Sequence, residues 1–335
     1  MVDSTTVAVI GAGAWGSALA LQLARNGHQV NLWGHDAEHI NRLLAERQNN
    51  EFLPDIPFPD AIHPTASLEH ALAGVDYVLI VIPSKAYREF LANLKPYVNE
   101  RTRVFWGSKG FEIETGKFLH ELVIEELGVE HYGVISGPTF ATEVARNLPA
   151  AVTCAGHRAD STQEFAELLH GGHFRCYTSD DVIGVEVGGA LKNVLAIAVG
   201  AADGLGFGSN TRATLITRGL SEIMRFGEAM GAKKETLMGL SGLGDLILTS
   251  TDNQSRNRRF GMAIGEGQSV EQAITAVGQT VEGYRAARAV FFIAQLKEVN
   301  LPIMEQVYLV LYEGKSPVEA VTELESRDQK AEISG

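Results

Sequence analysis

Up to about residue 180 the chain alternates short apolar runs with longer segments of mixed polarity. TVAVIG close to the N-terminus, QVNLWG (29–34), VDYVLIVIP (75–83), RVFWGSKG (103–110), YGVISGPTF (132–140), AVTCAG (151–156) and FRCYTS (174–179) each have the length and residue content of a strand. WGSALALQLARNG and AEHINRLLAERQ lie between the first of them with helical patterning. VDYVLIVIP is apolar at nearly every position, as a parallel strand buried on both faces requires. Such alternation predicts a doubly wound, mostly parallel α/β sheet. Beyond residue 180 the strand signals stop. Helical patterns cover 181–202, 210–231, 258–266, 269–277, 280–298, 302–313 and 316–327, around a glycine-rich break at 239–250. The expectation is an α/β domain over 1–180 followed by an all-α domain over 181–335. The polar tail TELESRDQKAEISG is expected to fray at its end.

Composition narrows the function. A chain of 335 residues with 45% apolar and 21% charged residues suits two globular domains. A net charge of −13 argues against nucleic acid or an anionic membrane as a general partner, since both need a basic face. The apolar run VLAIAVGAA is far short of the roughly 18 residues that suggest a membrane span. The N-terminal MVDSTTVAVIG has no basic region ahead of its apolar run, so a signal peptide is not expected. Cys154 and Cys176 make no disulfide framework, and reduced cysteines in a cytosolic protein are the expectation. No CxxC or HExxH pair suggests a metal.

The first strand runs directly into GAGAWG, which places Gly11, Gly13 and Gly16 as a GxGxxG ahead of a helix. The first glycine permits the tight turn and the second lets the backbone approach a pyrophosphate. The third allows close packing of helix on strand, with the helix N-terminus facing the phosphates. In this context the motif predicts a Rossmann-type dinucleotide site. The end of the second strand, LWGHDAEH, leaves NAD and NADP both open. Asp36 lies near where a ribose-binding acid belongs, but after Gly34 and His35, and no arginine is adjacent to grip a 2′-phosphate. His35 is a candidate contact to the adenosine ribose or its phosphate.

Lys192 sits inside the nearly apolar stretch EVGGALKNVLAIAVGAADGLGFGSN (186–210), where an unpartnered lysine is disfavoured. Gly188, Gly189, Leu195 and Ala196 share its helix face. The two glycines either leave room for a substrate above the lysine or permit a close helix crossing. Lys109 follows a predicted strand end, and Gly137, Thr139 and Ala141 follow another, where open α/β sheets bind ligands. Asp245 and Thr249 lie four apart on one helical face. Arg256, Arg258 and Arg259, beside Ser255 and Asn257, suggest a phosphate clamp in an otherwise acidic protein. The alternative is a solvated basic turn with Ser255 as its helix cap.

GAGAWGSALA, SKGFE, SGPTFATEVA, GGALKNVLAIAVGAADGLGFGSNTRA, SGLGDLILTSTD, SRNRRFG and TVEGYRA together resemble the bacterial NAD(P)-dependent sn-glycerol-3-phosphate dehydrogenases, from end to end of the chain. The resemblance implies reversible reduction of dihydroxyacetone phosphate by NADH or NADPH, supply of the phospholipid backbone, and a cytoplasmic homodimer. It implies Lys192 as proton donor and acceptor, a role for which the chemistry makes Asp245 and Asn193 candidates to orient or balance it. It implies substrate contacts at Lys109, Gly137, Thr139, Lys192, Asp245, Ser255, Arg256 and Asn257. Cofactor positions fall at Gly11, Gly13, Ala14, Trp15, Gly16, His35, Lys109, Ala141, Arg256, Thr280 and Glu282. Ala14 stands where the family often has serine, so only a backbone contact to the pyrophosphate is implied there. Two rival readings are a β-hydroxyacid dehydrogenase, which would not require both SRNRRFG and SGPTF, and a nicotinamide-binding sensor, which has no use for Lys192, Lys109 and Asp245 together.

Overall fold

A computed structural model of the chain describes residues 4–278 and 280–328. The first part runs β1 (Thr6–Ile10), α1 (Ala14–Arg25), β2 (Gln29–Trp33), α2 (Ala37–Glu46), β3 (Gln48–Asn49), β4 (Leu53–Pro57), β5 (Ile62–Thr65), α3 (Leu68–Leu72) and β6 (Tyr77–Ile80). It continues with α4 (Tyr87–Leu94), β7 (Arg103–Trp106), α5 (Leu119–Leu127), β8 (Tyr132–Ser136), α6 (Ala141–Ala145), β9 (Ala150–Gly156), α7 (Ala159–Leu169) and β10 (Phe174–Ser179). Eight strands form one sheet in the order β10-β9-β8-β7-β6-β1-β2-β5, and β3 and β4 form a short antiparallel pair beside it. The sheet is parallel except between β8 and β9. The connection from β8 to β9 holds only the five-residue α6, so the chain turns back instead of crossing over.

β1 shows how the sheet is buried. Val7 and Val9 enter one apolar cluster with α1 and α7, while Ala8 and Ile10 enter another with α4 and α5. Both faces are therefore covered, which explains the unbroken apolar character of the central strands. The edge strand β5, IHPT, does not read as a strand in the sequence because of Pro64; proline is tolerated there because an edge leaves one side unpaired.

Helices follow to the end of the described chain: α8 (Val182–Gly204), α9 (Ser209–Met230), α10 (Lys234–Leu237), a π-helical turn at Leu240–Gly244, α11 (Asp245–Thr251), α12 (Arg256–Gly265), α13 (Val270–Val277), α14 (Glu282–Leu296), α15 (Pro302–Tyr312) and α16 (Pro317–Glu325). The last seven residues of the polar tail, 329–335, lie outside the described residues. α8 is the axis of this part. It is the one described helix long and apolar enough to cross a membrane, yet most of it is buried among its neighbours, as a core helix apolar on every side must be.

Reciprocal glycines set how close α12 comes to α8. A Cβ on Gly200 would collide with the Arg258 carbonyl, one on Gly204 with Met262, one on Gly261 with Ile197 and one on Gly265 with Ala201. Backbone meets backbone along this crossing, so there is no side chain to move aside. Gly200→Ala or Gly261→Ala is expected to lower stability by a net 1–2 kcal/mol or so, after up to about 1 kcal/mol of gained helix propensity. Denaturant midpoints check this, and an unchanged midpoint would show that the two helices separate freely.

Candidate active site

The ends of β1, β6, β7 and β8 all open on the same edge of the sheet, because these strands are parallel. At the end of β1, Gly11 adopts φ +120°, and a Cβ there would strike the Val81 carbonyl. A Cβ on Gly16 would strike the Gly11 carbonyl, whereas one on Gly13 would meet nothing within 4 Å. Two glycines thus shape the turn and the third leaves open space at the cap of α1, where Ala14, Trp15 and Gly16 begin the helix. That opening at a helix N-terminus fits a dinucleotide pyrophosphate. His35 is exposed just beyond β2, and the Asp36 carboxylate caps α2 by accepting from Glu38 N and His39 N.

Lys192 is buried in the middle of α8 and is not alone there. Its Nζ donates to Asp245 Oδ1 and, at 2.8 Å, to Thr249 Oγ1. Lys109, which follows β7, donates to the other oxygen, Asp245 Oδ2, at 2.7 Å. One carboxylate from α11 therefore binds two ammonium groups, one from each half of the chain. Burial and the neighbouring Lys109 pull the Lys192 ammonium down to about 8, against the attraction of Asp245. Burial pushes the Asp245 carboxyl up, but Lys109 and Lys192 outweigh it and hold it below the usual range.

The glycines beside Lys192 do not leave a space for a ligand. A Cβ on Gly188 would lie 2.5 Å from the Ser241 carbonyl in the π-helical turn. One on Gly189 would lie 3.0 Å from Ser136 Oγ and 3.5 Å from the Lys109 side chain. Protein fills that face. The close approach at Gly188 brings the π-helical turn, and Asp245 at its end, onto α8.

Asn193 corrects the expectation that it orients the lysine. Its Nδ2 donates to Glu282 Oε2 at 3.3 Å and its Oδ1 accepts from Asn257 Nδ2 at 2.9 Å. Asn257 Oδ1 in turn accepts from Gly283 N at 2.9 Å, so Asn257 ties α8, α12 and α14 together. Ser255 Oγ caps α12, accepting from Arg258 N, and Arg256 is the half-buried first residue of that helix. The three-arginine clamp is corrected too: Arg259 is exposed and Arg258 is bonded to Asp203 inside the helical part. Gly137 has a packing reason, since a Cβ would lie 2.6 Å from the Ala151 carbonyl. Thr139 Oγ1 donates to the Gly137 carbonyl at 3.3 Å, and Ala141 begins α6.

A cleft between the sheet edge and α14 is lined by Lys109, Asn193, Thr280 and Glu282, and also by Ser84, Lys85 and Arg285. The last three were not identified from the sequence. Ser84 and Lys85 follow the end of β6, so their place at the ligand-binding edge was a usable signal. Arg285 lies one turn beyond Glu282, which puts both on the same face of α14.

A glycine turn at the switch point of a doubly wound sheet, in a chain whose core helix holds a buried lysine, fits the class of nicotinamide-dependent dehydrogenases. The family models for the NAD-dependent glycerol-3-phosphate dehydrogenase N-terminus and C-terminus match residues 6–162 and 181–322. The chain belongs to this family. It is 54% identical to the glycerol-3-phosphate dehydrogenase [NAD(P)+] of Thioalkalivibrio sulfidiphilus, with 98% of each chain covered. It is 51% identical to that of Shewanella halifaxensis, covering 100% of this chain and 99% of the other. The crystal structure of glycerol-3-phosphate dehydrogenase (gpsA) from Coxiella burnetii superposes with a TM-score of 0.93 at 48% identity, covering 97% of this chain and 99% of that one.

Asp245→Asn removes the charge that offsets two ammonium groups and is expected to move the Lys192 titration below about 8. Side-chain amine NMR across a pH series reads this. An unmoved titration would show that Asp245 does not govern the lysine.

Proposed function

We propose that the chain catalyses the reversible reduction of dihydroxyacetone phosphate to sn-glycerol 3-phosphate with NADH or NADPH. The observation that carries this reading is the buried Lys192 held on the Asp245 carboxylate together with Lys109, which itself lines the cleft. Gly11, Gly13 and Gly16 would hold the cofactor pyrophosphate, assisted by backbone N–H groups at Ala14 and Trp15, with Thr280, Glu282 and Ala141 along its length and His35 at its adenosine end. A bound nicotinamide supplies or accepts the hydride. In reduction, Lys192 Nζ gives its proton to the carbonyl oxygen as that oxygen gains the electron pair of the C=O bond. In oxidation, the neutral amine takes the hydroxyl proton back. Asp245 and Thr249 hold Nζ in place during both, and Lys109 adds positive charge near the developing alkoxide. Arg256 binds the phosphate by a charge-assisted contact, with Lys109, Gly137, Thr139, Ser255 and Asn257 around the substrate.

In this reading the chain comprises a cofactor domain to about residue 180 and a helical domain beyond it that supplies the proton and the phosphate contact. It works as a cytoplasmic homodimer, and its product enters glycerophospholipid synthesis.

Lys192→Ala is expected to lower turnover by about 10²–10⁴-fold while cofactor affinity stays nearly intact. Loss of NADH or NADPH absorbance in the presence of dihydroxyacetone phosphate measures it, and near-normal turnover would remove Lys192 from this role. The ratio of the two initial rates reports how the HDAEH segment treats a 2′-phosphate. The titration near 8 fixes the sign of the pH dependence. Reduction needs the ammonium form, so its rate should fall as pH rises through about 8, while oxidation should rise through the same range. Profiles that do not mirror each other would exclude Lys192 as the shared proton carrier.

A further inference from the structure

Arg258 is turned into the protein, although its neighbour Arg256 opens the same helix half-buried. The Arg258 side chain is 8% exposed and that of Asp203 7%. Arg258 Nη2 donates to Asp203 Oδ2 at 2.6 Å, and its Nη1 donates to Asn253 Oδ1 in the loop before α12. Its backbone N–H donates to the capping Ser255 Oγ at 3.2 Å. Asp203 lies in the last turn of α8, the helix that carries Lys192, and its other oxygen accepts from Arg212 Nη2 at 2.8 Å. In the same loop, Gln254 Nε2 donates to Glu143 Oε1 of α6 at 3.2 Å.

The glycine crossing already packs α12 on α8 over Gly200, Gly204, Gly261 and Gly265. A buried ion pair adds little net stability beyond what a well-packed apolar pair would give, whereas its directional bonds fix geometry. What an apolar pair would lack is the anchor on Asn253, and with it the path of the loop that aims the first turn of α12. We infer that Asp203 and Arg258 are positioning residues for the phosphate contact of Arg256. They fix the start of α12 relative to α8 and so set the distance between the phosphate-binding group and the proton-transferring Lys192. The inference rests on the proposed role of Arg256.

The test uses the full chain with Asp203→Asn, Arg258→Lys and the paired Asp203→Asn/Arg258→Met, each confirmed folded by thermal unfolding. The paired variant leaves neither Asp203 nor Arg258 as a charge without its partner, which guards against a simple failure to fold. The KM for dihydroxyacetone phosphate should rise roughly tenfold or more in the Asp203 variants, as expected for loss of a charge-assisted contact. kcat should fall far less, its pH profile should stay in place, and Arg258→Lys should retain part of the affinity. In an Arg256→Ala background, adding Asp203→Asn should change KM by less than about twofold, since both changes act on one contact. An unchanged KM in the folded Asp203 variants, or full additivity with Arg256→Ala, overturns the inference while leaving Arg256 as the phosphate contact. An Arg256→Ala variant with unchanged KM overturns the reading of Arg256 itself, and this inference with it.

Discussion

One buried carboxylate shared by two lysines is the constraint on which the rest of the site depends. Asp245 is almost without solvent, and so is Thr249, the other partner of the Lys192 Nζ on α11. Removing charges from water is costly, and the cost is offset only when oppositely charged groups meet with good geometry. Here the carboxylate comes from α11, one lysine from the loop after β7 and the other from α8. Three elements must therefore converge within hydrogen-bonding distance. Gly188 makes the approach of the π-helical turn sterically possible, and Gly189 gives room to the Ser136 hydroxyl at the end of β8. Burial, with the neighbouring Lys109 ammonium, pulls Lys192 down to about 8 against the attraction of Asp245.

The same geometry separates the tasks of the site. The sheet edge presents backbone and short side chains at Gly11, Gly13 and Ser84, suited to close approach. The helices present Lys192 and Asp245, and the loop after β7 adds the second ammonium, Lys109. Between them, Asn193, Asn257 and Glu282 form a network that bonds to itself and to Gly283 N. Paired in this way, these polar groups set the spacing of α8, α12 and α14 without leaving amides unsatisfied. Rigid placement of this kind is what a proton transfer over about 3 Å requires.

Much of the fold was legible because each element carries its own local signal. The glycine turn announces its position between strand and helix, and the apolar runs announce a sheet covered on both faces. β5 was not legible, since Pro64 reads as a breaker until the strand is known to lie at an edge. Within the site, the four-residue spacing of Asp245 and Thr249 was visible, and both reach Lys192. The pair Gly188–Gly189 left two readings, and only the backbone of Ser241 seated on it distinguishes close packing from an open space. Asn193 misled, because its neighbour in sequence is the lysine while its side chain faces α12 and α14. Arg258 misled for the same reason, since residues two apart on a helix point in different directions.

The sequence by itself determined the class of fold, the dinucleotide turn and the presence of a lysine that an apolar helix would not otherwise tolerate. Those conclusions follow from periodicity, backbone conformational freedom and the cost of burying charge, all of which act over a few residues. Which groups meet Lys192, which arginine is withdrawn to Asp203 and which residues line the cleft were decided only by tertiary structure. These depend on contacts between elements tens to more than a hundred residues apart in the chain, such as Lys109 with Asp245, and no local pattern encodes the direction in which a side chain will find its partner.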